Sequence, residues 1–146
     1  MKNFFLFKIL LILITISGHV YAKESNYFYE GKKFFEKKEL DKAKNLFERD
    51  LVFNPKSEKS YLYLAKIFNV RKIDNEEELN LNSVLLLNPK NDEAIYMLTL
   101  LKIKQSDYDE AKLLIEKFEL VCNEFCTKKN EIKEKFKKLI PNEKTK

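Results

Sequence analysis

From Tyr27 onward the apolar positions fall in stripes with helical spacing. Tyr27, Phe28, Phe34 and Phe35 form one stripe, and Leu40, Ala43, Leu46, Phe47 and Leu51 form the next. Steps of three, four and seven put such residues on one face of a helix, whereas a half-buried strand would alternate every second residue. The polar stretch Lys37-Lys38-Glu39 between them predicts a tight turn. Pro55 ends the second helix, because proline cannot continue the hydrogen-bond ladder and disfavours helical geometry in the residue before it. The pattern returns at Tyr61, Leu64, Ala65 and Phe68, then at Leu79, Leu81, Val84 and Leu85 up to Pro89. It returns again at Ile95, Leu98 and Leu101, then at Tyr108, Ala111, Leu114, Ile115 and Phe118. The pairs Asn54-Pro55 and Asn88-Pro89 mark a period of about 34 residues, within the range of helical-hairpin repeats. A hairpin of this size cannot bury its apolar faces alone, so the pattern predicts an all-α stack of helical hairpins, each sheltering its neighbour.

Aligned on that period, the chain resembles the tetratricopeptide repeat (TPR) family, over roughly residues 24–124. The first repeat matches through Tyr27, Gly31, Phe34, Ala43, Phe47 and Pro55, and the second through Tyr61, Leu64, Ala65, Phe68, Leu81 and Pro89. The third matches through Ile95, Leu98, Thr99, Ala111, Ile115 and Phe118, and Asp107-Tyr108-Asp109-Glu110-Ala111 is similar to the family's turn-and-helix phrase. The resemblance implies a right-handed α-solenoid of about seven helices, with repeats at 24–57, 58–91 and 92–124. Small residues such as Gly31, Ala43 and Ala65 would let helix backbones approach closely. Glu30, Glu77 and Lys102 depart from the pattern, standing for a leucine, a small alanine and an aromatic, and the third repeat ends at Asn123 without proline. Of these, Glu77 fits the frame least well and leaves room for a register shift of its helix.

In the family the first helices of successive repeats line a concave groove. The matching positions here are Phe28, Lys32 and Phe35, then Leu62, Lys66 and Val70, then Tyr96, Leu100, Ile103 and Lys104. The resemblance therefore implies a protein or peptide partner with apolar and acidic side chains, held by buried anchors and charge steering. The carboxylate-binding mode of some relatives is not implied, since Phe28 and Lys32 take the first two of its places. After the repeats, Ile132, Phe136, Leu139 and Ile140 oppose a lysine-rich face over residues 127–140. This stripe predicts a terminal capping helix before a polar tail at 141–146. A lysine-rich helix docked on anionic lipid is the alternative.

Residues 1–22 change the picture of where the chain works. Lys2 and Lys8 precede the apolar run Ile9–Ile16, and Val20-Tyr21-Ala22 has small residues where signal peptidase needs them. The expectation is a cleaved signal, cut after Ala22, and a periplasmic or secreted protein. A retained anchor is the alternative, although a span needs about 20 apolar residues and Lys8 interrupts this run early. Cleavage removes His19 and Gly18, leaving Gly31 as the one glycine, and losing Lys2 and Lys8 lowers the formal charge from +5 to +3. Arg49 and Arg71 are the only arginines, and lysines alternate with glutamates, as on a solvated helix face. A nucleic-acid reader would cluster its positive charge, so none is expected as a partner.

Cys122 and Cys126 are the only thiols. In an exported chain such a pair reads as a disulfide. On a regular helix their Cβ atoms would stand about 5–6 Å apart, against about 3.8 Å in a relaxed bridge. A bridge therefore requires a helix break within Asn123–Phe125. A redox-active dithiol is the alternative, although its usual spacing is two intervening residues in a βαβ setting, not three in a helical one. Two thiols without histidine are too few for a zinc site, and no cofactor is expected. Without a mature histidine the common nucleophile–base schemes are excluded, and one glycine excludes glycine-rich phosphate loops. Carboxylate runs such as Glu76-Glu77-Glu78 suit a solvated surface more than a catalytic pair. The expectation is a non-enzymatic, exported interaction module or scaffold. The alternatives are a structural or self-associating part of an envelope assembly, or a thiol-disulfide redox protein.

Overall fold

The computed structural model describes residues 26–139. The expected signal segment 1–22, the first residues of the expected repeat 24–57, the last residue of the expected capping helix 127–140 and the expected tail 141–146 lie outside the described residues. The described residues form seven α-helices: α1 (Asn26–Glu36), α2 (Leu40–Phe53), α3 (Glu58–Arg71), α4 (Asp74–Leu87), α5 (Asp92–Lys104), α6 (Tyr108–Val121) and α7 (Lys129–Leu139), with a 3-10 turn at Cys126–Lys128. Helices α1–α2, α3–α4 and α5–α6 pack as hairpins, α2 lies on α3 and α4 on α5, and α7 covers both α5 and α6. The fold is all-α and TPR-like. The first helices of the hairpins (α1, α3 and α5) are termed A helices, and the second (α2, α4 and α6) B helices.

Each hairpin is closed by the same pair of buried positions. Gly31, Ala65 and Thr99 on the A helices, and Phe47, Leu81 and Ile115 on the B helices, recur once per period and are all buried. The small partner decides how close the helices come. A Cβ at Gly31 would lie 2.8 Å from Cε1 of Phe47, and the ring cannot move far, being fully buried and 5.1 Å, centroid to centroid, from Tyr63.

The helix around Glu77 keeps the register of the repeat. Glu77 is 1 % exposed and takes the place that the fully buried Ala43 and Ala111 hold in the other B helices. A buried carboxylate without a partner would be costly, and Nδ2 of Asn69 donates to Glu77 Oε1 at 2.9 Å. Burial nevertheless pushes the carboxyl above its ordinary pKa, with the Asn69 bond opposing it. Lys102, the other departure, is buried as an ion. Its ammonium lies 2.6 Å from Glu78 and 2.9 Å from Glu110, replacing an aromatic contact with salt bridges between α5 and its neighbours.

The turns repeat as faithfully as the core. Lys38, Lys72 and Ser106 all have left-handed backbone, with φ of 61°, 58° and 63°. The next residue then bonds back into the last turn of the helix: Glu39 N to Phe34 O at 2.9 Å, Ile73 N to Phe68 O at 3.0 Å and Asp107 N to Lys102 O at 2.9 Å. This closure satisfies the carbonyls that a helix leaves free at its end. Pro55 and Pro89, expected among the packing residues, are exposed at the B-to-A turns and end helices without filling the core.

An acid at the start of an A helix holds the following B-to-A turn. Glu58 Oε1 accepts from Asn88 at 3.0 Å and Asn91 at 2.5 Å. Asp92, one period on, accepts from the backbone N–H of Asn123 at 2.7 Å and Phe125 at 2.9 Å. Burial would raise the Asp92 carboxyl, but N–H groups from Phe125, Asn123, Glu124 and Glu93 outweigh it and hold the carboxyl below its usual value. The rhythm runs into the last helix. Ile132 stands one period beyond Leu98 and two beyond Leu64, and all three are buried. Helix α7 therefore takes the place of a fourth A helix. Its Lys129 and Lys133 fall where the earlier A helices carry Tyr61 or Ile95 and Ala65 or Thr99, and both ion-pair with Glu119 on α6.

Candidate partner-binding groove

The A helices bring together a part of the residues expected to form a groove. Phe35, Lys66, Val70, Tyr96 and Leu100 surround an open cleft of about 380 Å³ together with Asn69, Glu93 and Met97. Phe35 stands edge-on to Tyr63 at 5.2 Å, and Val70 is 61 % exposed. Lys66 is not a free charge: its Nζ lies 2.8 Å from Glu93 and over the Tyr63 ring at 4.8 Å. Tyr96 is tied to the last helix, donating its hydroxyl to Glu131 at 2.9 Å. Burial, then the Glu131 bond, push the Tyr96 hydroxyl up to about 12.

Leu100 also borders a second cleft, of about 420 Å³, formed with Ile103 and Lys104 of α5 and Lys135, Lys138 and Leu139 of α7. Lys104 reaches Asp74 at 2.6 Å, and Lys135 reaches Glu131 at 2.9 Å. The two clefts share Leu100 as a lining residue.

Two expected groove residues are core residues instead. Phe28 is buried, with ring centroids of Phe47 and Tyr63 at 5.9 and 5.7 Å. Leu62 packs with Ala65, Leu81 and Ala94. Phe28 belongs to the core cluster of the first two hairpins, and Leu62 to the cluster of the second and third. Ile103 is 6 % exposed and offers only an edge to the second cleft. Lys32 is exposed, 3.9 Å from Glu36, and borders neither cleft.

Several lining residues lie outside the set that the resemblance implies, and the period itself points to two of them. Asn69 follows Phe35 by one step, and Lys138 follows Lys104 by one step. The apolar stripe over 127–140 predicts a cover, and so conceals that α7 is another groove-lining helix.

Cys122 and Cys126 are joined by a disulfide with Cα atoms 5.1 Å apart. The chain leaves the helix at Val121 and re-enters a helical turn at Cys126, which supplies the break the bridge requires. Cys122 falls where the earlier turns have Asn54 and Asn88, so the bridge replaces the proline turn used there. Ile132 is fully buried and Phe136 packs edge-on to Tyr108 at 6.3 Å. Ile132 and Phe136 of α7 are therefore turned into the stack, while Leu139 is exposed beside the second cleft.

No protein-family model and no curated protein sequence matches the chain. Solved structures do. The TPR domain of Sgt2 from Aspergillus fumigatus superposes with a TM-score of 0.67 at 17% identity, over 88% of this chain and 95% of that one. A chain of a CopN–Scc3 complex superposes with a TM-score of 0.63 at 17% identity, over 79% of this chain and 67% of that one. By this likeness and by its own order of helices, the chain is a TPR-like stack of helical hairpins.

Proposed function

We propose that the chain is an exported interaction module that holds a peptide or protein segment along its A-helix face. The observation that carries this reading is the pair of open clefts that share Leu100, one lined by Phe35, Val70 and Met97 and the other by Ile103 and Leu139. Apolar anchors in a preformed groove supply affinity, and the surrounding charges select orientation. The fold argues the same way, since TPR-like domains are generally protein–protein interaction modules, and one similar chain belongs to a CopN–Scc3 complex. Export rests on Lys2, Lys8, the run Ile9–Ile16 and the Ala22 site; N-terminal mass determination of the secreted product tests it, with Lys23 as the expected first residue.

The groove is tested by selecting a displayed random-peptide library on residues 23–146. Peptides enriched on the wild type should lose binding to the variant carrying Phe35→Glu with Leu100→Glu, at unchanged helicity. Enriched peptides that bind this variant as well as wild type would overturn the reading.

A second reading, self-association in an envelope assembly, draws on a different observation. Val52, Leu86 and Leu120 recur once per period on the B helices and are 76%, 84% and 87% exposed. Sedimentation of the purified chain separates the two: a monomer supports the module, and a concentration-dependent dimer abolished by Leu86→Lys supports self-assembly.

A further inference from the structure

The two clefts differ in their charge. In the inner one Lys66 is neutralised across the cleft by Glu93, 2.8 Å away, and both line it. The outer one has an apolar floor of Leu100, Ile103 and Leu139, and every polar residue bordering it is a lysine: Lys104, Lys135 and Lys138. Asp74 and Glu131 counter two of these from outside the cleft. Among the described residues Lys138 has no carboxylate within ion-pair distance, and its neighbour Lys137 adds charge to the same end, 3.8 Å from Glu134. From Lys128 to Leu139, α7 and the turn before it carry six lysines against two glutamates. An apolar seat with an all-ammonium rim fits an apolar side chain flanked by carboxylates, and repels one flanked by lysines.

We infer that the outer cleft is an acid-selective subsite, which takes an apolar residue flanked by aspartate or glutamate in a bound peptide and fixes that end of the peptide at α7. The inference rests on the proposed groove and adds direction to it: the neutral, apolar part of the peptide lies against Phe35 and Val70, and its acidic part lies against Lys138. An acidic peptide is favoured over an anionic bilayer because Ile132 and Phe136, which a surface helix would insert into lipid, are turned into the stack.

The test uses a short fluorescein-labelled peptide of leucines flanked by aspartates, and its twin with asparagine for every aspartate. Anisotropy is read on residues 23–146 in wild type, Lys138→Glu and Phe35→Glu, together with flotation on vesicles containing phosphatidylglycerol. The aspartate peptide should bind wild type about tenfold more tightly than its twin, a difference of about 1.4 kcal/mol. Lys138→Glu should remove that preference while leaving the twin's affinity within about twofold. Added salt should erode it, since rim charges are screened beyond about 8–10 Å. Equal affinity for the two peptides, or a preference that survives Lys138→Glu, overturns the subsite. If neither peptide responds to Phe35→Glu, the groove itself is refuted, so the two failures are distinguishable. Flotation of the chain with vesicles, lost in Lys138→Glu, would assign the lysines to lipid and overturn the inference.

Discussion

The close approach of α1 and α2 at Gly31 offers a sharp test of the fold's geometry. Gly31 faces the ring of Phe47, and an added methyl group would lie 2.8 Å from Cε1 and 3.0 Å from Cδ1, well inside the ~3.5 Å at which carbon atoms begin to attract. The ring is held from behind by Tyr63 and Phe28, with centroids 5.1 and 5.9 Å away. Overpacking of this kind costs about 1–3 kcal/mol, while alanine in place of a mid-helix glycine returns about 0.5–1 kcal/mol. Gly31→Ala should therefore destabilise the chain by about 1–2 kcal/mol, although alanine is the better helix former. The second hairpin shows the remedy, because there Ala65 faces Leu81 and both are fully buried. In a Phe47→Leu background the same Gly31→Ala change should become stabilising by about 0.5–1 kcal/mol, giving a coupling of about 2 kcal/mol. Urea unfolding of the four proteins, followed by far-ultraviolet circular dichroism, measures it. A Gly31→Ala protein more stable than wild type, or additive effects in the double variant, would refute the assignment of Gly31 and Phe47 to one closing pair.

Three further outcomes are expected. Because Glu77 has its pKa raised by burial, the folded state disfavours the ionised form. Its contribution is therefore best below the ordinary carboxylate range and is lost as pH rises through the raised value. Glu77→Gln should raise the melting temperature at pH 7 and flatten the stability–pH curve above about pH 4, and an unchanged curve would show that Glu77 is solvated. Lys38, Lys72 and Ser106 hold left-handed backbone, which costs a side-chain-bearing residue about 1–2 kcal/mol. Glycine at each should add about 0.5 kcal/mol, nearly additively across hairpins; destabilisation at any one would mean its side chain has a task. Replacing Cys122 and Cys126 by serine should cost about 2 kcal/mol for so small a loop. Faster amide exchange should then be confined to residues 122–139, and loss spread evenly over all seven helices would contradict a local staple.

The fold was legible because its signal is repeated. Stripes of apolar residues with helical steps and a fixed interval specify hairpins before any contact is known. Glu77 shows where the pattern misleads: a charged residue at an alanine position suggests slippage, but Asn69, eight residues earlier, supplies the bond that keeps the register. That compensation lies on the neighbouring helix and leaves no periodic trace. The groove was half legible. Phe35, Val70 and Leu100 fall where the resemblance implies, whereas Phe28 and Leu62 are buried in the two core clusters, which spacing alone does not reveal. Lys135, Lys138 and Leu139 sit on a helix whose pattern reads as a lid, because an apolar stripe does not say whether a terminal helix closes a groove or extends it.

The groove is tested most directly by amide chemical-shift mapping of the isotope-labelled chain, residues 23–146, with a library-selected peptide. Shifts concentrated at Phe35, Val70, Met97, Leu100 and Lys138, on helices α1, α3, α5 and α7, are the predicted result. Shifts confined to Val52, Leu86 and Leu120 on the B helices would contradict it.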